Sequence, residues 1–214
     1  MAEKPHFVLA TTPACPHCPA IKKLARDFEQ QQLLASLEII DITQHPEFAA
    51  QHNIRSVPWF RIGDLEFSGS HSGAEIKRWI ELALTHKGIR QYLVEQLEAG
   101  QLGRVEQLIL QHPDWLTIVL PVLADPMSPI QARVGLSALI EGLQDQALLR
   151  SLLPGLTEYA RHEDQRVRAD ACHLLGYIKD DAAHQVLEEC QHDSDADVRE
   201  IARDSLAQLR QDLT

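Results

Sequence analysis

Hydrophobic positions follow two different patterns along the 214-residue chain. Up to about residue 85, short apolar runs of strand length alternate with segments whose apolar residues recur every three or four positions. A helix is predicted between the first two strands. The other predicted elements are strands over 7–12, 37–42, 59–62 and 65–68 and helices over 46–52 and 74–84. The element order of this half is therefore β-α-β-α-β-β-α.

The connections in this half also predict how its strands pair. The first helix joins the first two strands as a crossover, which favours parallel pairing. Gly63 and Asp64 separate the last two strands, and a two-residue loop of this kind is typical of an antiparallel hairpin. We therefore expect an α/β domain whose sheet contains both kinds of pair.

From residue 86 onward the strand pattern stops, and helical spacing continues to the end of the chain. Gly residues or clusters of Pro and Asp separate the segments, as expected where helices end. We predict helices over 88–99, 101–111, 114–124, 129–143, 146–161, 165–178, 181–191 and 196–210. The second half is therefore expected to be entirely helical.

An internal repeat runs through this helical half. The element Asp164-Gln-Arg-Val-Arg168 recurs 31 residues later as Asp195-Ala-Asp-Val-Arg199, and Asp195 is expected to cap the last helix. A looser third copy is predicted 37 residues before Val167, at Ile130, Val134 and Ala138. Over about residues 110–214 this pattern resembles the HEAT-like repeat family, which implies helix pairs stacked into a solenoid. We place the domains at 1–85 and 86–214.

Charge separates the two halves as well. The chain carries 20 basic and 31 acidic residues, a net charge of −11. Residues 1–85 hold 8 basic and 10 acidic residues (net −2), and residues 86–214 hold 12 and 21 (net −9). This acidity argues against nucleic acid or an anionic membrane as partner, and it favours a basic or polar protein partner for the repeats. Without a long apolar run or a recognisable leader, we expect a cytoplasmic protein.

Two of the four cysteines form the motif Cys15-Pro-His-Cys18, between the first predicted strand and the first predicted helix. A cysteine at a helix N-terminus lies at the positive end of the helix dipole, which stabilises the reactive thiolate. The pair could be a redox centre, an inert pair or half of a zinc site, although zinc needs four ligands and there is no second such motif. Cys172 and Cys190 are predicted to be small buried side chains, and the alternative is a redox or metal-binding role together with His173 or His192.

Residues 7–85 resemble the thioredoxin/glutaredoxin superfamily. The resemblance rests on the strand–CxxC–helix placement, the element order and the Ser56-Val57-Pro58 segment before the third strand. It implies a cis Pro58 that faces the cysteines and a Val57 backbone that pairs with an extended substrate. Cys15 would attack a substrate disulfide, Cys18 would resolve the mixed disulfide, and His17 would favour the Cys15 thiolate.

The resemblance implies no cofactor beyond the Cys15–Cys18 disulfide and a dithiol reductant or the glutathione system as electron partner. Lys22 and Lys23 are candidates for binding glutathione. The sequence departs from thioredoxins at two positions, because Ala14 replaces the Trp before the first cysteine and Leu9 replaces a buried acid.

Together these features predict a thiol–disulfide oxidoreductase of the protein disulfide reductase or isomerase type, with HEAT-like repeats that recruit a protein client. The alternative is a non-enzymatic adaptor or scaffold whose thioredoxin-like domain senses redox state or has only a structural role.

Overall fold

The computed structural model describes residues 3–211. The chain divides into two compact units between Tyr92 and Leu93. The domain boundary that we predict after residue 85 stays a prediction, because compactness alone does not show that either part folds independently.

The first unit contains a four-stranded mixed sheet and confirms the predicted α/β fold. The sheet order is β2-β1-β3-β4, with β1 parallel to β2 and antiparallel to β3, and β3 and β4 form the predicted hairpin. The strands are β1 (His6–Thr11), β2 (Ser36–Asp41), β3 (Trp59–Ile62) and β4 (Leu65–Ser68). The helices are α1 (Cys18–Gln30), α2 (Pro46–Gln51) and α3 (Gly73–Leu82).

The central strand β1 is buried on both faces. Phe7 and Leu9 point to one face and Val8 and Ala10 to the other, because side chains alternate along a strand. Val8 and Ala10 pack in a cluster to which Phe48 of α2 contributes. Each fully buried large apolar side chain stabilises the fold by about 1.5–3 kcal/mol. The C-terminal end of β1, where the cysteine motif follows, is therefore held firmly.

Helix α3 begins with a capping box. The hydroxyl of Ser72 accepts the Glu75 N–H at 3.2 Å, and the Glu75 carboxylate accepts the Ser72 N–H at 2.8 Å. These hydrogen bonds satisfy N–H groups that have no partner within the helix. The bond from the Ser72 N–H also lowers the pKa of Glu75.

The described chain from residue 86 to residue 211 contains helices and connecting turns and no strand, as predicted. The helices are α4 (His86–Glu98), α5 (Leu102–Gln111), α6 (Trp115–Val119), α7 (Ile130–Gly142), α8 (Gln146–Ser151), α9 (Leu153–Tyr159), α10 (Gln165–Leu175), α11 (Asp181–Cys190) and α12 (Ala196–Gln211). Over residues 3–211, no helix has the length and apolarity that a membrane span requires.

Two predicted helices are interrupted at prolines. The helix predicted over 146–161 is two helices, α8 and α9, which meet at Leu152. Pro154 lies in the first turn of α9, where its missing N–H is not needed, whereas inside a continuous helix its ring would clash with the preceding turn. The helix predicted over 114–124 leaves α geometry after Val119 and continues as a 3-10 helix through Pro121.

The 31-residue repeat is confirmed by matching hydrogen bonds at the start of α10 and α12. Asp164 and Asp195 accept the N–H two residues ahead, at 2.8 and 2.9 Å, so Asp195 caps the last helix as predicted. Arg168 and Arg199 each donate through Nη1 to the carbonyls five and six residues earlier, at 2.8–3.0 Å. Each arginine thus ties the start of its helix to the preceding loop.

The position of the third copy is wrong. Ile130 and Val134 are 64% and 63% exposed, and Ala138 is exposed too. The buried residues of α7 precede their counterparts in α10 by 35 positions rather than 37: Ala132, Leu136, Leu139 and Ile140 stand where α10 has Val167, Ala171, Leu174 and Leu175. A shift of two residues rotates a helix by roughly 200°, which carries the predicted core face to the outside.

Candidate active site

The two motif cysteines lie in the turn between β1 and α1. The Cys15 N–H donates to the Thr12 carbonyl at 3.2 Å, and α1 starts at Cys18. Pro19 lies in the first turn of this helix, where a proline is tolerated. Cys15 and Cys18 form a disulfide with their Cα atoms 5.5 Å apart, and both are buried.

The helix start directs a hydrogen-bond donor at one of the two sulfur atoms. The backbone N–H of Cys18 donates to Sγ of Cys15 at 3.1 Å. This N–H belongs to the first turn of α1, where amides have no partner within the helix and the helix dipole is positive. Once the disulfide is reduced, both effects stabilise a negative sulfur at Cys15.

His17 occupies the position immediately before α1, and its side chain is exposed. Within the described part of the chain its imidazole neither caps the helix nor hydrogen-bonds to another group. The effect on the Cys15 thiolate that the resemblance implies for His17 therefore stays a prediction, and it would act through charge.

Val57 and Pro58 lie at the same end of the sheet as the cysteines. The peptide bond between them is cis, and Trp59 pairs with Ala10 in the sheet, which brings Pro58 beside the last residue of β1, Thr11. Neither the N–H nor the carbonyl of Val57 has a hydrogen-bond partner within residues 3–211. Both groups are available to an extended substrate, which is the role predicted for this residue.

A groove of about 740 Å³ opens beside the disulfide, between α1 and the C-terminal ends of β1 and β2. Cys15 and Cys18 both line it. So do Lys22 and Lys23, which the sequence suggested, and Arg26, which it did not. Val57 and Pro58 are not part of its lining, so the groove is separate from the predicted docking strand. We call it the α1 groove.

No carboxyl group occupies the place of the buried acid of thioredoxins, because Leu9 is fully buried in the sheet. Asp41 also lines the α1 groove, at the end of β2. Hydrogen bonds from the hydroxyl and the N–H of Thr43 hold the pKa of Asp41 below its ordinary value. A carboxylate of low pKa is a weak proton acceptor for a thiol.

The other two cysteines are buried in the second unit, as predicted. Cys172 on α10 and Cys190 on α11 are both free thiols. The neighbouring Cys190 thiol and the burial of the side chain raise the pKa of Cys172 well above its ordinary value. Over the described residues, no group of three or more His, Cys, Asp or Glu side chains could hold a metal ion.

Comparisons with known proteins agree with this geometry. Residues 7–81 match the Thioredoxin domain family, and residues 116–207 match the HEAT repeats family. A thioredoxin from Methanocaldococcus jannaschii is 38% identical over 64 residues, which are 29% of this chain and 75% of that protein. With the Cys15–Cys18 pair, these matches support a thiol–disulfide oxidoreductase. The chain therefore belongs to the thioredoxin family and carries HEAT repeats after its thioredoxin domain.

Proposed function

We propose that the chain exchanges disulfides with a protein client, as a protein disulfide reductase or isomerase, and that Cys15 is the attacking thiol. The hydrogen bond of 3.1 Å from the Cys18 N–H to Cys15 Sγ carries this proposal. It favours the anion at Cys15 over the anion at Cys18, and only the thiolate attacks a disulfide.

The reaction then runs in two exchanges. The Cys15 thiolate attacks one sulfur of the client disulfide, forms a mixed disulfide and releases the other client sulfur, which takes up a proton. Cys18 loses its proton to water, since Leu9 provides no acceptor, and its thiolate attacks Sγ of Cys15. The Cys15–Cys18 bond forms and the second client thiol leaves. The client gains two electrons and two protons and the protein is left as the Cys15–Cys18 disulfide. A dithiol reductant or glutathione then supplies two electrons and two protons, which restore both thiols, and is itself oxidised to a disulfide.

Client binding at this site would use the backbone of Val57. Its unpaired N–H and carbonyl suit an extended client strand, because main-chain hydrogen bonds hold such a strand without requiring one sequence. Pro58 keeps this segment beside the end of β1. His17, exposed before α1, would add positive charge near Cys15 when protonated.

The HEAT repeats would recruit the client. Residues 86–214 carry 12 basic and 21 acidic residues, a net charge of −9, and stacked helical repeats provide extended protein-binding surfaces. Opposite charge raises the association rate of protein partners. We therefore expect a client with a basic surface.

Insulin reduction with dithiothreitol as electron donor tests the redox role. The wild type should turn over, Cys15→Ser should not, and His17→Ala should lower the rate while the matched change at exposed His86 leaves it unchanged. Absence of turnover by the wild type with any reductant, alongside unimpaired binding of a partner, would contradict the enzyme and favour the adaptor alternative.

Recruitment can be tested on the full chain with a basic disulfide protein and a small disulfide probe. Glu200 and Asp204 are exposed on α12, and changing them to Gln and Asn removes two charges from the repeats. The double variant should reduce the basic protein more slowly and the small probe at the wild-type rate, whereas Glu81→Gln in the thioredoxin domain should change neither. Equal rates of the double variant and the wild type on the basic protein would contradict recruitment by charge.

A further inference from the structure

The α1 groove carries an unusual set of charges for so acidic a chain. Lys22, Lys23 and Arg26 line it with only two carboxylates, Asp27 and Asp41, although the whole chain has a net charge of −11. None of these three cations forms a salt bridge within residues 3–211. The groove therefore presents cationic groups beside the disulfide without internal anions bound to them.

One of the two carboxylates in the groove, Asp41, already accepts hydrogen bonds from a neighbouring residue. Asp41 accepts the N–H and the hydroxyl of Thr43, at 2.9 and 2.7 Å, and attraction to Lys22 is a lesser cause of its lowered pKa. Its hydrogen bonds hold it at the end of β2. An anion that enters the groove would thus meet amine and guanidinium groups that still have donors to offer.

The spacing of the cations along α1 indicates which positions of a bound peptide could contact them. With a rise of about 1.5 Å per residue, Lys22 lies about 6 Å and Arg26 about 12 Å along the helix from Cys18. An extended peptide advances about 3.3 Å per residue, so side chains two to four positions from a cysteine lie about 7–13 Å from it. The distances of the cations from Cys18 therefore match the distances of these peptide side chains from their cysteine. The groove volume of about 740 Å³ lies within the usual range for ligand-binding pockets.

We propose that the α1 groove binds an acidic segment of the client, two to four residues away from the cysteine that Cys15 attacks. This inference rests on the proposed function and names the class of substrate it prefers. The segment would place Asp or Glu side chains against Lys22, Lys23 and Arg26, on the side of the cysteines away from Val57. The cationic groove selects the sequence around the disulfide, and the Val57 backbone pairs with the strand regardless of sequence.

Matched disulfide peptides test this proposal on the full chain. One peptide carries Glu at the second, third and fourth positions from its cysteine, and the other carries Gln there. We measure the second-order rate constant for reduction of each peptide, and of glutathione disulfide for comparison, by three reduced proteins. These are the wild type, a variant with Lys22, Lys23 and Arg26 all changed to Gln, and Lys77→Gln as control. Lys77 is exposed on α3 and is not part of the groove lining. Thermal unfolding of each variant verifies that it is folded.

We expect the Glu peptide to react faster than the Gln peptide, by about 1.4- to 5-fold for each charge pair formed. The preference should fall close to one in the triple variant, persist in Lys77→Gln and shrink in high salt. Equal rates for the two peptides in the wild type would overturn the proposal, as would a preference that survives in the triple variant. The proposal would also be overturned if the triple variant reduced only glutathione disulfide more slowly than the wild type does, because the groove would then be a glutathione site.

The two proposals fail in different ways in this experiment. If neither peptide nor glutathione disulfide is reduced by the wild type, the oxidoreductase itself is contradicted. If the wild type reduces all three substrates and the Glu and Gln peptides react at equal rates, only the acidic-segment proposal is contradicted.

Discussion

The ion pair between Arg168 and Asp193 is expected to be the most stabilising polar interaction within the HEAT repeats. Asp193 accepts Nε and Nη2 of Arg168 at 2.8 and 2.9 Å, and the two side chains are only 14% and 12% exposed. Asp193 also accepts the N–H of Asp195 at 2.8 Å. Changing Asp193 to Asn keeps the shape and an acceptor oxygen but leaves the Arg168 charge without its anion.

The size of the effect follows from this burial. Removing one partner of a buried ion pair costs about 3–5 kcal/mol, whereas an exposed pair contributes about 0–1 kcal/mol. Asn still accepts one hydrogen bond, so we expect Asp193→Asn to lower the free energy of unfolding by about 2–3 kcal/mol. For a unit of this size that corresponds to a fall in Tm of about 10 °C.

Urea unfolding followed by far-ultraviolet circular dichroism measures this change, since the repeats supply most of the helix. The matched control is Glu189→Gln, which breaks an ion pair with Arg161 of similar length, 2.9 Å, but with side chains 63% and 64% exposed. The free energy of unfolding of the control should fall by less than about 0.5 kcal/mol. Equal losses for Asp193→Asn and Glu189→Gln would refute the argument from burial.

The same pair predicts a pH dependence. The hydrogen bonds from Arg168 hold the pKa of Asp193 below its ordinary value. A carboxyl with a lowered pKa in the folded state contributes stability that is fully present above the unfolded pKa of about 3.9 and is lost as pH falls through the folded pKa. The difference in unfolding free energy between the wild type and Asp193→Asn should therefore shrink below about pH 4. A difference that stays constant down to acid denaturation would contradict this assignment.

Three further predictions rest on capping, packing and burial. Ser72→Ala removes the capping box of α3 and should lower the free energy of unfolding by about 1 kcal/mol in a urea titration. Gly176→Ala places a Cβ 2.8 Å from the Cβ of Ser205 and should lower it by about 1–3 kcal/mol, whereas Gly142→Ala, whose Cβ meets nothing within 4 Å, should not destabilise. The Cys172 thiol, buried and with a raised pKa, should be alkylated by iodoacetamide only at the rate of unfolding.

Each of these three predictions has an outcome that would contradict it. A Ser72→Ala variant as stable as the wild type would show that the cap contributes nothing. Equal effects of alanine at Gly176 and Gly142 would contradict the close approach at Gly176. Alkylation of Cys172 in the folded protein at the rate of a free thiol would contradict its burial.

Much of the thioredoxin domain was predictable because its signals are local. The strands at 59–62 and 65–68 were predicted with the bounds that the structure has, since Gly63 and Asp64 mark the turn between them. The cysteine motif was predicted at a helix start because a dithiol needs those amides, and α1 does begin at Cys18. At these positions the local sequence preference and the folded structure agree, so the sequence alone is sufficient for the prediction.

The repeats show where local patterns fail. Helix α7 has apolar residues on two faces, and helical spacing alone does not decide whether Ile130 and Val134 or Leu136 and Ile140 are buried. Only packing against neighbouring helices makes that choice. The break between α8 and α9, in contrast, was open to a sequence rule, because Pro154 cannot lie inside a continuous helix.

The α1 groove could not be predicted from the sequence, because its residues come from separate segments. Arg26 is a surface arginine in a helix and belongs to no motif, so nothing marks it as functional. Its significance comes from the ends of β1 and β2, which the fold places opposite α1 to form the groove. A site made by juxtaposition has no signature within one segment.

The mixed disulfide on Cys15 is the measurement that tests the central claim most directly. Reduced Cys18→Ser and Cys15→Ser proteins are each mixed with a disulfide peptide and quenched with acid, and the adduct is located by mass spectrometry of the digest. We predict an adduct on Cys15 in Cys18→Ser, which cannot resolve it, and none on Cys18 in Cys15→Ser on the same timescale. An adduct that forms preferentially on Cys18, or on neither cysteine, would contradict a redox centre in which Cys15 is the attacking thiol.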